Sequence, residues 1–319
     1  MFSGIEAASV ACEGMGWEAL AFAEIDPFPS AVLAERFPNV PNLGDVTKVK
    51  WKKYKGKCDL VVGGSPCQSF SIAGKREGLQ GESGLMFEYI RAVCEIRPRW
   101  FLWENVPGAL SSEGGEAFRQ LLSEMDKLGY GLAWRILDAQ FFGVAQRRRR
   151  LFLVGHLGAC PPPIGVLIEP ESMRGDLESS AEKRANLAKE AGRSPCSAGF
   201  EPITMADLNA NTAIGYDMVG TLKVGGDAPS VCYRERAGGD KGALVSEAVR
   251  RLTPRECERL QGFPDDWTKI PYRGKPADEC ADGPRYKAIG NSMAVSVMRW
   301  IFKRIEAYDA DASAQEIVK

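Results

Sequence analysis

Short apolar runs alternate with amphipathic stretches over the first half of the chain. Ala19-Leu20-Ala21-Phe22-Ala23 predicts a strand and Pro27 to Phe37 a helix. Asp59 to Val62 predicts a strand and Met86 to Ile96 a helix. Arg99 to Trp103 predicts a strand, Gly115 to Leu128 a helix, and Leu151 to Val154 another strand. Regular alternation of this kind implies an α/β domain on a mainly parallel sheet. Ligands of such sheets bind beyond the carboxyl ends of the strands.

The pattern breaks at Pro161-Pro162-Pro163. Between 165 and 249 periodicity is weak, Gly, Ser, Ala and charge dominate, and Gly225-Gly226 and Gly238-Gly239 mark turns. This predicts a small loop-rich domain. Regularity returns at Arg250-Arg251-Leu252-Thr253-Pro254-Arg255-Glu256. Thr253 is placed as an N-cap, Pro254 at the first helical position and Glu256 at the third, a capping-box pattern. Gly262 and Pro264 close that helix, and Met293 to Ala307 predicts a last one. The expected organisation is a catalytic domain over 1–164, a second domain over 165–249, a hinge and terminal helix over 250–307, and a frayed polar tail over 308–319.

Candidate chemistry falls at two predicted strand ends. Pro66-Cys67-Gln68 follows the apolar run Leu60-Val61-Val62-Gly63-Gly64, which presents a thiol on a turn. Trp100-Phe101-Leu102-Trp103 runs into Glu104-Asn105-Val106, which ends a second strand in a carboxylate. A thiol and an acid so placed suggest covalent catalysis with a proton donor. The only histidine, His156, lies in an apolar strand with no serine elbow beside it and reads as structural. A nucleophilic cysteine must therefore be activated without imidazole.

Charge and composition narrow the setting. The 319 residues are 45% hydrophobic and 26% charged, with a net charge of −1, which describes a soluble globular protein and gives no global argument for a polyanionic partner. Local clustering does, through Arg147-Arg148-Arg149-Arg150 and the set Arg250, Arg251, Arg255 and Arg259. Nine cysteines occur without paired metal-ligand spacing. The odd count, with no secretory signal and no apolar run of membrane-spanning length, predicts free thiols in a reducing cytoplasm, no metal and no membrane.

Phe2-Ser3-Gly4-Ile5-Glu6-Ala7 sits where a strand should pass into a helix, and Gly4 lets the backbone approach a ligand. Glu24 follows about twenty residues on, at the end of the next strand, where an acid accepts both hydroxyls of a ribose. Asp45 adds a polar group able to read an adenine amine. A nucleoside-bearing cofactor is implied, and the spacing alone does not say which.

Taken in order, these motifs resemble the DNA (cytosine-5) methyltransferases of phages, prophages and bacterial restriction–modification systems. Phe2-Ser3-Gly4 resembles the S-adenosyl-L-methionine loop, followed by Glu24 and Asp45. Gly64-Ser65-Pro66-Cys67-Gln68-Ser69-Phe70-Ser71 resembles the nucleophile loop and Glu104-Asn105-Val106 the acid motif. Gln146 to Arg150 resembles the Gln-x-Arg-x-Arg motif, Arg251 to Cys257 the motif after the recognition domain, and Gly290-Asn291-Ser292 the closing motif.

The resemblance implies a Rossmann-like methyltransferase fold with a separate target-recognition domain, and methyl transfer from S-adenosyl-L-methionine to C5 of a flipped cytosine in duplex DNA. It assigns Cys67 to attack on C6, Glu104 to N3 and the exocyclic amine, Arg148 to the O2 side, and Arg150 to ordering the nucleophile loop and the acid. Cofactor contacts fall to Phe2, Gly4, Ile5, Glu24, Ile25, Asp45, Pro66, Asn291 and Ser292. DNA contacts fall to Gln68, Ser71, Asn105, Val106, Thr253 and Arg255. It also implies a cytoplasmic monomer, with room for a cognate restriction endonuclease acting separately.

Two rivals share parts of this pattern. A tRNA cytosine methyltransferase would keep the cofactor and the Cys67/Glu104 pair, and the large Gly-rich region before Arg250 disfavours it. A nucleotide-dependent oxidoreductase would explain the glycine turn and Glu24 but not the two motifs carrying Cys67 and Glu104. Two departures from the family pattern stand out: Glu6 occupies the place of a second glycine, and only Met1 precedes the first loop. The latter sets the expectation that an upstream strand would stabilise the protein and tighten cofactor binding.

Overall fold

The computed structural model describes residues 1–65, 84–159, 163–168, 200–206, 213–215, 230–236 and 244–317. Pro66, Cys67, Gln68 and Ser71, and most of 165–249, lie outside the described residues. The chain divides into two compact units, one of Met1–Leu137, Arg149–Met173 and Met298–Lys319, the other of Asp138–Arg148 and Arg174–Val297. The expected hinge segment thus splits at Met298, and its first part groups with the second unit.

In the first unit a four-stranded sheet runs in the order β1-β2-β4-β3, with β1 Leu60–Gly63, β2 Trp100–Asn105, β3 Tyr130–Asp138 and β4 Arg149–Leu157. β1 and β2 are parallel, pairing Gly63 with Trp103. β2 and β4 are antiparallel, pairing Glu104 with Phe152 and Asn105 with Leu151. The sheet is therefore mixed. Of the arginine block, expected to precede a short strand, Arg149 and Arg150 open β4 while Arg147 and Arg148 precede it.

Trp100, Phe101, Leu102 and Trp103 are all essentially inaccessible, as an unbroken apolar run requires when both faces of a sheet are covered. Each such side chain contributes about 1.5–3 kcal/mol on burial. Helix α3 (Gly84–Ile96) buries Met86, Tyr89, Ile90, Val93 and Ile96, one stripe at helical spacing. The Tyr89 hydroxyl inside that stripe donates to the Leu102 carbonyl at 3.0 Å. Helix α4 (Glu116–Lys127) buries Phe118, Leu121 and Met125 in the same core. Gly155 lies opposite Phe101 in the ladder, and a Cβ there would stand 2.1 Å from the Phe101 ring, so only glycine fits.

Two shorter helices frame the first loops, α1 (Ala7–Ala11) and α2 (Pro27–Arg36). The strand expected over 19–23 is reduced to a parallel bridge of Phe22 with Asn42. Among the described residues its other edge meets chain at Ser3, whose N–H donates to the Ala23 carbonyl at 3.2 Å. A cavity of about 160 Å³ is lined by Ala19–Phe22, Leu60–Val62 and Met1. The Met1 ammonium donates to the Val62 carbonyl at 2.7 Å, and burial holds its pKa below the usual value. Without a ladder partner on that side, the 19–21 segment cannot register as a strand.

The second unit contains an antiparallel sheet in the order β6-β5-β7-β8, with β5 Phe200–Ala206, β6 Ala213–Gly215, β7 Ser230–Arg236 and β8 Leu244–Arg251. A loop-rich domain was the expectation; the described part of it is sheet. Arg250 and Arg251 end β8, and helix α5 (Pro254–Gln261) begins after Thr253 with the full capping box in place. Gly262 ends α5 at φ 81°, a left-handed conformation that glycine adopts at no steric cost. Helix α6 (Asp282–Asn291) follows.

Helix α7 (Val295–Ile317) runs ten residues beyond the expected end. Tyr308 packs edge-on against Trp100, and the Trp100 indole N–H donates to Asp309 at 3.1 Å. These contacts hold in helix a segment whose composition alone predicts fraying.

Candidate active site

The carboxyl ends of β1 and β2 and the start of β4 meet at one place in the first unit. Their parallel and antiparallel registers set Gly63 beside Trp103 and Asn105 beside Leu151. Ser65, two residues before Cys67, is buried there and held twice. The Trp103 indole N–H donates to its hydroxyl at 3.2 Å, and Asn105 Nδ2 donates to its carbonyl at 3.1 Å. Asn105 Oδ1 in turn accepts from Val106 N at 2.9 Å. Asn105, buried, thus braces Ser65, two residues before Cys67 in sequence. Ser65 and Trp103 were not singled out from sequence; the small-residue run Gly63-Gly64-Ser65 was the available signal.

Glu104 and Arg150 form the charged pair of this site. Arg150 Nε stands 3.1 Å from Glu104 Oε1, with side chains only 16% and 12% exposed. Burial pulls the Arg150 pKa down and the Glu104 charge pushes it back up. A guanidinium at this distance fixes the carboxylate's position and shields it from competing cations. Val106 follows, extended and partly exposed.

Arg148 has a different setting, in the second unit. Its guanidinium is 3% exposed and donates to the carbonyls of Gly290, at 3.1 Å, and Ser292, at 2.6 Å. It clamps the end of α6, where Gln261 Nε2 also donates to the Ile289 carbonyl at 3.0 Å. Asn291, the last residue of α6, is exposed, and Ser292 is buried.

The expected cofactor loop is strained. Phe2, Gly4 and Glu6 all have positive φ, at 51°, 54° and 62°. Two non-glycine residues in that region over five positions store backbone strain, which clusters at ligand sites. Glu24 is the hub of the loop. One of its oxygens accepts from Gly4 N at 2.8 Å, the other from Ile25 N at 2.9 Å and Asp26 N at 2.8 Å. Ile25 is 72% exposed beside it, and Ile5 is fully buried beneath. Asp45 accepts from Thr47 N and Oγ1, which lowers its pKa and keeps it ionised. A carboxylate acceptor, an exposed apolar platform and a second fixed acid fit the hydroxyls and ring of an adenosine.

Glu6 does not fit as easily. Its carboxylate is buried, accepts from Ser9 N and Oγ at 3.3 and 3.1 Å, and has its pKa raised by desolvation. It places an acid where the free N–H groups would otherwise suit an anion.

The remaining sequence-selected groups are engaged within the second unit. Thr253 exchanges hydrogen bonds with Glu256, Oγ1 donating to Oε2 at 3.0 Å and accepting from N at 3.3 Å. Arg255 Nε donates to Asp266 at 3.1 Å and Arg259 Nε to Asp265 at 2.7 Å. Neighbouring acids therefore neutralise Arg255 and Arg259 of that set. His156 packs edge-on against Trp100 at 4.4 Å, a structural role as expected. Among the described residues no group of acids, histidines and cysteines could hold a metal ion, and no helix is long and apolar enough to cross a membrane.

The family model for C-5 cytosine-specific DNA methylase matches residues 1–184 and 218–307. The chain is 31% identical to the type II methyltransferase M2.BsuMI of Bacillus subtilis, over 94% of this chain and 73% of that protein. It is 35% identical over 95% of its length to a protein of Escherichia phage P1 named a DNA N-6-adenine-methyltransferase, of which it spans 60%. The S. pombe Dnmt2 methyltransferase structure superposes with a TM-score of 0.65 at 18% identity, covering 94% of this chain and 95% of that one.

Proposed function

Because the chain belongs to the C-5 cytosine-specific DNA methylase family, we propose that it transfers a methyl group from S-adenosyl-L-methionine to C5 of a cytosine flipped out of a specific duplex DNA sequence. The observation that supports it best is the cluster at the strand ends. Glu104 is held by Arg150, and the segment entering the Cys67 loop is held by Asn105 and Trp103. Chemistry on C5 cannot occur within a stacked duplex, so the base must leave the helix.

The residues divide the work as follows. Cys67, as thiolate, forms a bond to C6 and drives electron density onto C5. Glu104 contacts N3 and the exocyclic amine, its carboxylate accepting from both and favouring the N3-protonated ring that accepts that density. Arg150 keeps Glu104 aimed, and arginine charge with loop N–H groups lowers the thiol pKa in place of histidine. When bound, the cofactor supplies an electrophilic methyl on a sulfonium centre. Its adenosine would be held by Glu24, Ile25 and Asp45, with Phe2, Gly4, Ile5 and Pro66 around the loop and Asn291 and Ser292 from the closing motif. After transfer, a base removes the C5 proton and the C6–sulfur bond breaks, returning the free thiolate. Arg148 acts as a positioning residue for the closing motif.

Sequence recognition is assigned to 165–249 together with Thr253 and Arg255, while Gln68, Ser71 and Val106 line the flipped base. On this reading the protein is a cytoplasmic monomer acting on DNA, with any cognate endonuclease acting separately.

The test is covalent trapping. Duplex DNA with 5-fluorocytosine at the target retains fluorine where a proton must leave, so wild-type protein with cofactor should give an adduct that survives denaturation. Cys67→Ala should give none. An adduct of equal yield from Cys67→Ala refutes the nucleophile, and trapping on fluorinated tRNA alone moves the substrate to RNA.

A further inference from the structure

Lys48, Lys50, Lys52, Lys53, Lys55 and Lys57 fall within ten residues of a chain whose net charge is −1. All six are exposed. Lys48 has an acidic partner, Asp45 at 3.5 Å. Among the described residues no ion pair neutralises the other five. The remaining acids of the neighbouring helix are already committed, since Glu88 and Glu95 both pair with Arg91.

The strip is not a floppy tail. Val46, Val49 and Trp51 alternate with the lysines and are buried in the core. Arg91 donates to the Val46 carbonyl at 2.8 Å and the Val49 carbonyl at 3.1 Å, which pins the segment to α3. Residues Trp51–Tyr54 form a turn of 3₁₀ helix, and Lys53 lies 4.9 Å over the Tyr54 ring. Alternation of anchored apolar and free cationic positions displays the charges on a rigid ledge. Concentrated like charge destabilises a compact fold through self-repulsion, so a ledge of this kind suits a polyanion that neutralises it. Lysine ammonium groups bind phosphates as point charges without reading sequence.

We propose that the Lys50–Lys57 ledge, which leads into the amino end of β1, binds the phosphate backbone of duplex DNA away from the target base, a sequence-independent contact additional to the recognition domain. It rests on the reading that duplex DNA is the substrate. It holds the enzyme on DNA between encounters with targets, and it makes affinity depend on duplex length and salt.

The test compares wild type with a variant carrying Lys→Ala at positions 50, 52, 53, 55 and 57, and with the Lys→Arg set at the same positions. Probes are a duplex one helical turn long carrying the target and one of several turns, with tRNA as a third. Each phosphate contact contributes about 0.9 to the slope of log affinity against log salt. Two to five lost contacts should lower the slope on the long duplex by roughly 2–4.5, with S-adenosyl-L-methionine affinity and kcat at saturating short duplex unchanged. The arginine set should restore the slope. An unchanged slope on long duplex overturns the ledge while leaving the enzyme reading intact. A wild type that binds and methylates no duplex overturns that reading itself. A slope change seen only with tRNA assigns the ledge to RNA and refutes the proposal.

Discussion

Replacing Asn105 by alanine should separate positioning from chemistry at the strand ends. Asn105 is buried, its Nδ2 donates to the Ser65 carbonyl at 3.1 Å and its Oδ1 accepts from Val106 N at 2.9 Å. Truncation removes both bonds. The Val106 N–H can turn to water because Val106 is partly exposed, but Ser65 is buried and its carbonyl loses a partner it cannot replace. A buried orphan of this kind costs about 1–3 kcal/mol, a drop in Tm of about 2–12 °C at 2–4 °C per kcal/mol in a domain of this size. Catalysis should suffer more. The Cys67 loop departs from Ser65, and a displacement of about 1 Å at a reacting atom costs on the order of 10²-fold. Single-turnover methyl transfer should therefore fall by about that factor while duplex affinity holds within a few-fold. Asn105→Asp keeps the acceptor for Val106 N and loses only the donor to Ser65, so it should reproduce the loss of rate. If Asn105→Asp transfers methyl groups at the wild-type rate, the Ser65 brace does not position the nucleophile.

Two further outcomes follow from the described geometry. Glu6→Gln removes a buried carboxylate from the cofactor loop while keeping an acceptor for Ser9; calorimetry should show S-adenosyl-L-methionine binding several-fold tighter, and unchanged affinity would place the methionine end of the cofactor away from Glu6. His156 has its pKa lowered, first by burial. The unfolded chain therefore takes up that proton first, near pH 6.5. Its contribution to stability is complete above about pH 6.5 and is lost as pH falls below it. As the only histidine, it should account for a fall in Tm between about pH 7 and 5.5 that His156→Phe abolishes; persistence of the same fall in the variant would assign it to carboxylates.

The elements that sequence made legible were those whose pattern is local. The β2 run Trp100–Trp103, the α3 and α4 stripes and the Thr253–Glu256 capping box each state their conformation within a few residues. Three elements were decided elsewhere. The 19–23 run has strand composition, but a strand needs a ladder partner, and Met1–Ser3 reaches only Ala23. The arginine block looks like a loop because arginine has no strand signature, yet β4 begins at Arg149, two residues before its ladder with β2 opens at Leu151. The end of α7 looks like a frayed tail, and the reasons it stays helical, Trp100 and Arg99, lie over two hundred residues away.

The candidate site shows the same division one level up. Motif order located Glu104 and Arg150 without geometry, because their chemistry demands those residue types. Which arginine serves the acid depended on strand phase. In an extended strand alternate side chains point to opposite faces, and Glu104 pairs with Phe152 across the ladder. Arg150, two residues from Phe152, shares its face and can reach Glu104. Arg148 would share that face too if the strand continued, but β4 begins at Arg149. Released from the ladder, the chain before it turns the Arg148 guanidinium toward the carbonyls that end α6. A one-residue difference in where a strand starts thus decides which of two equivalent arginines stands beside the acid, and spacing alone carries no record of it.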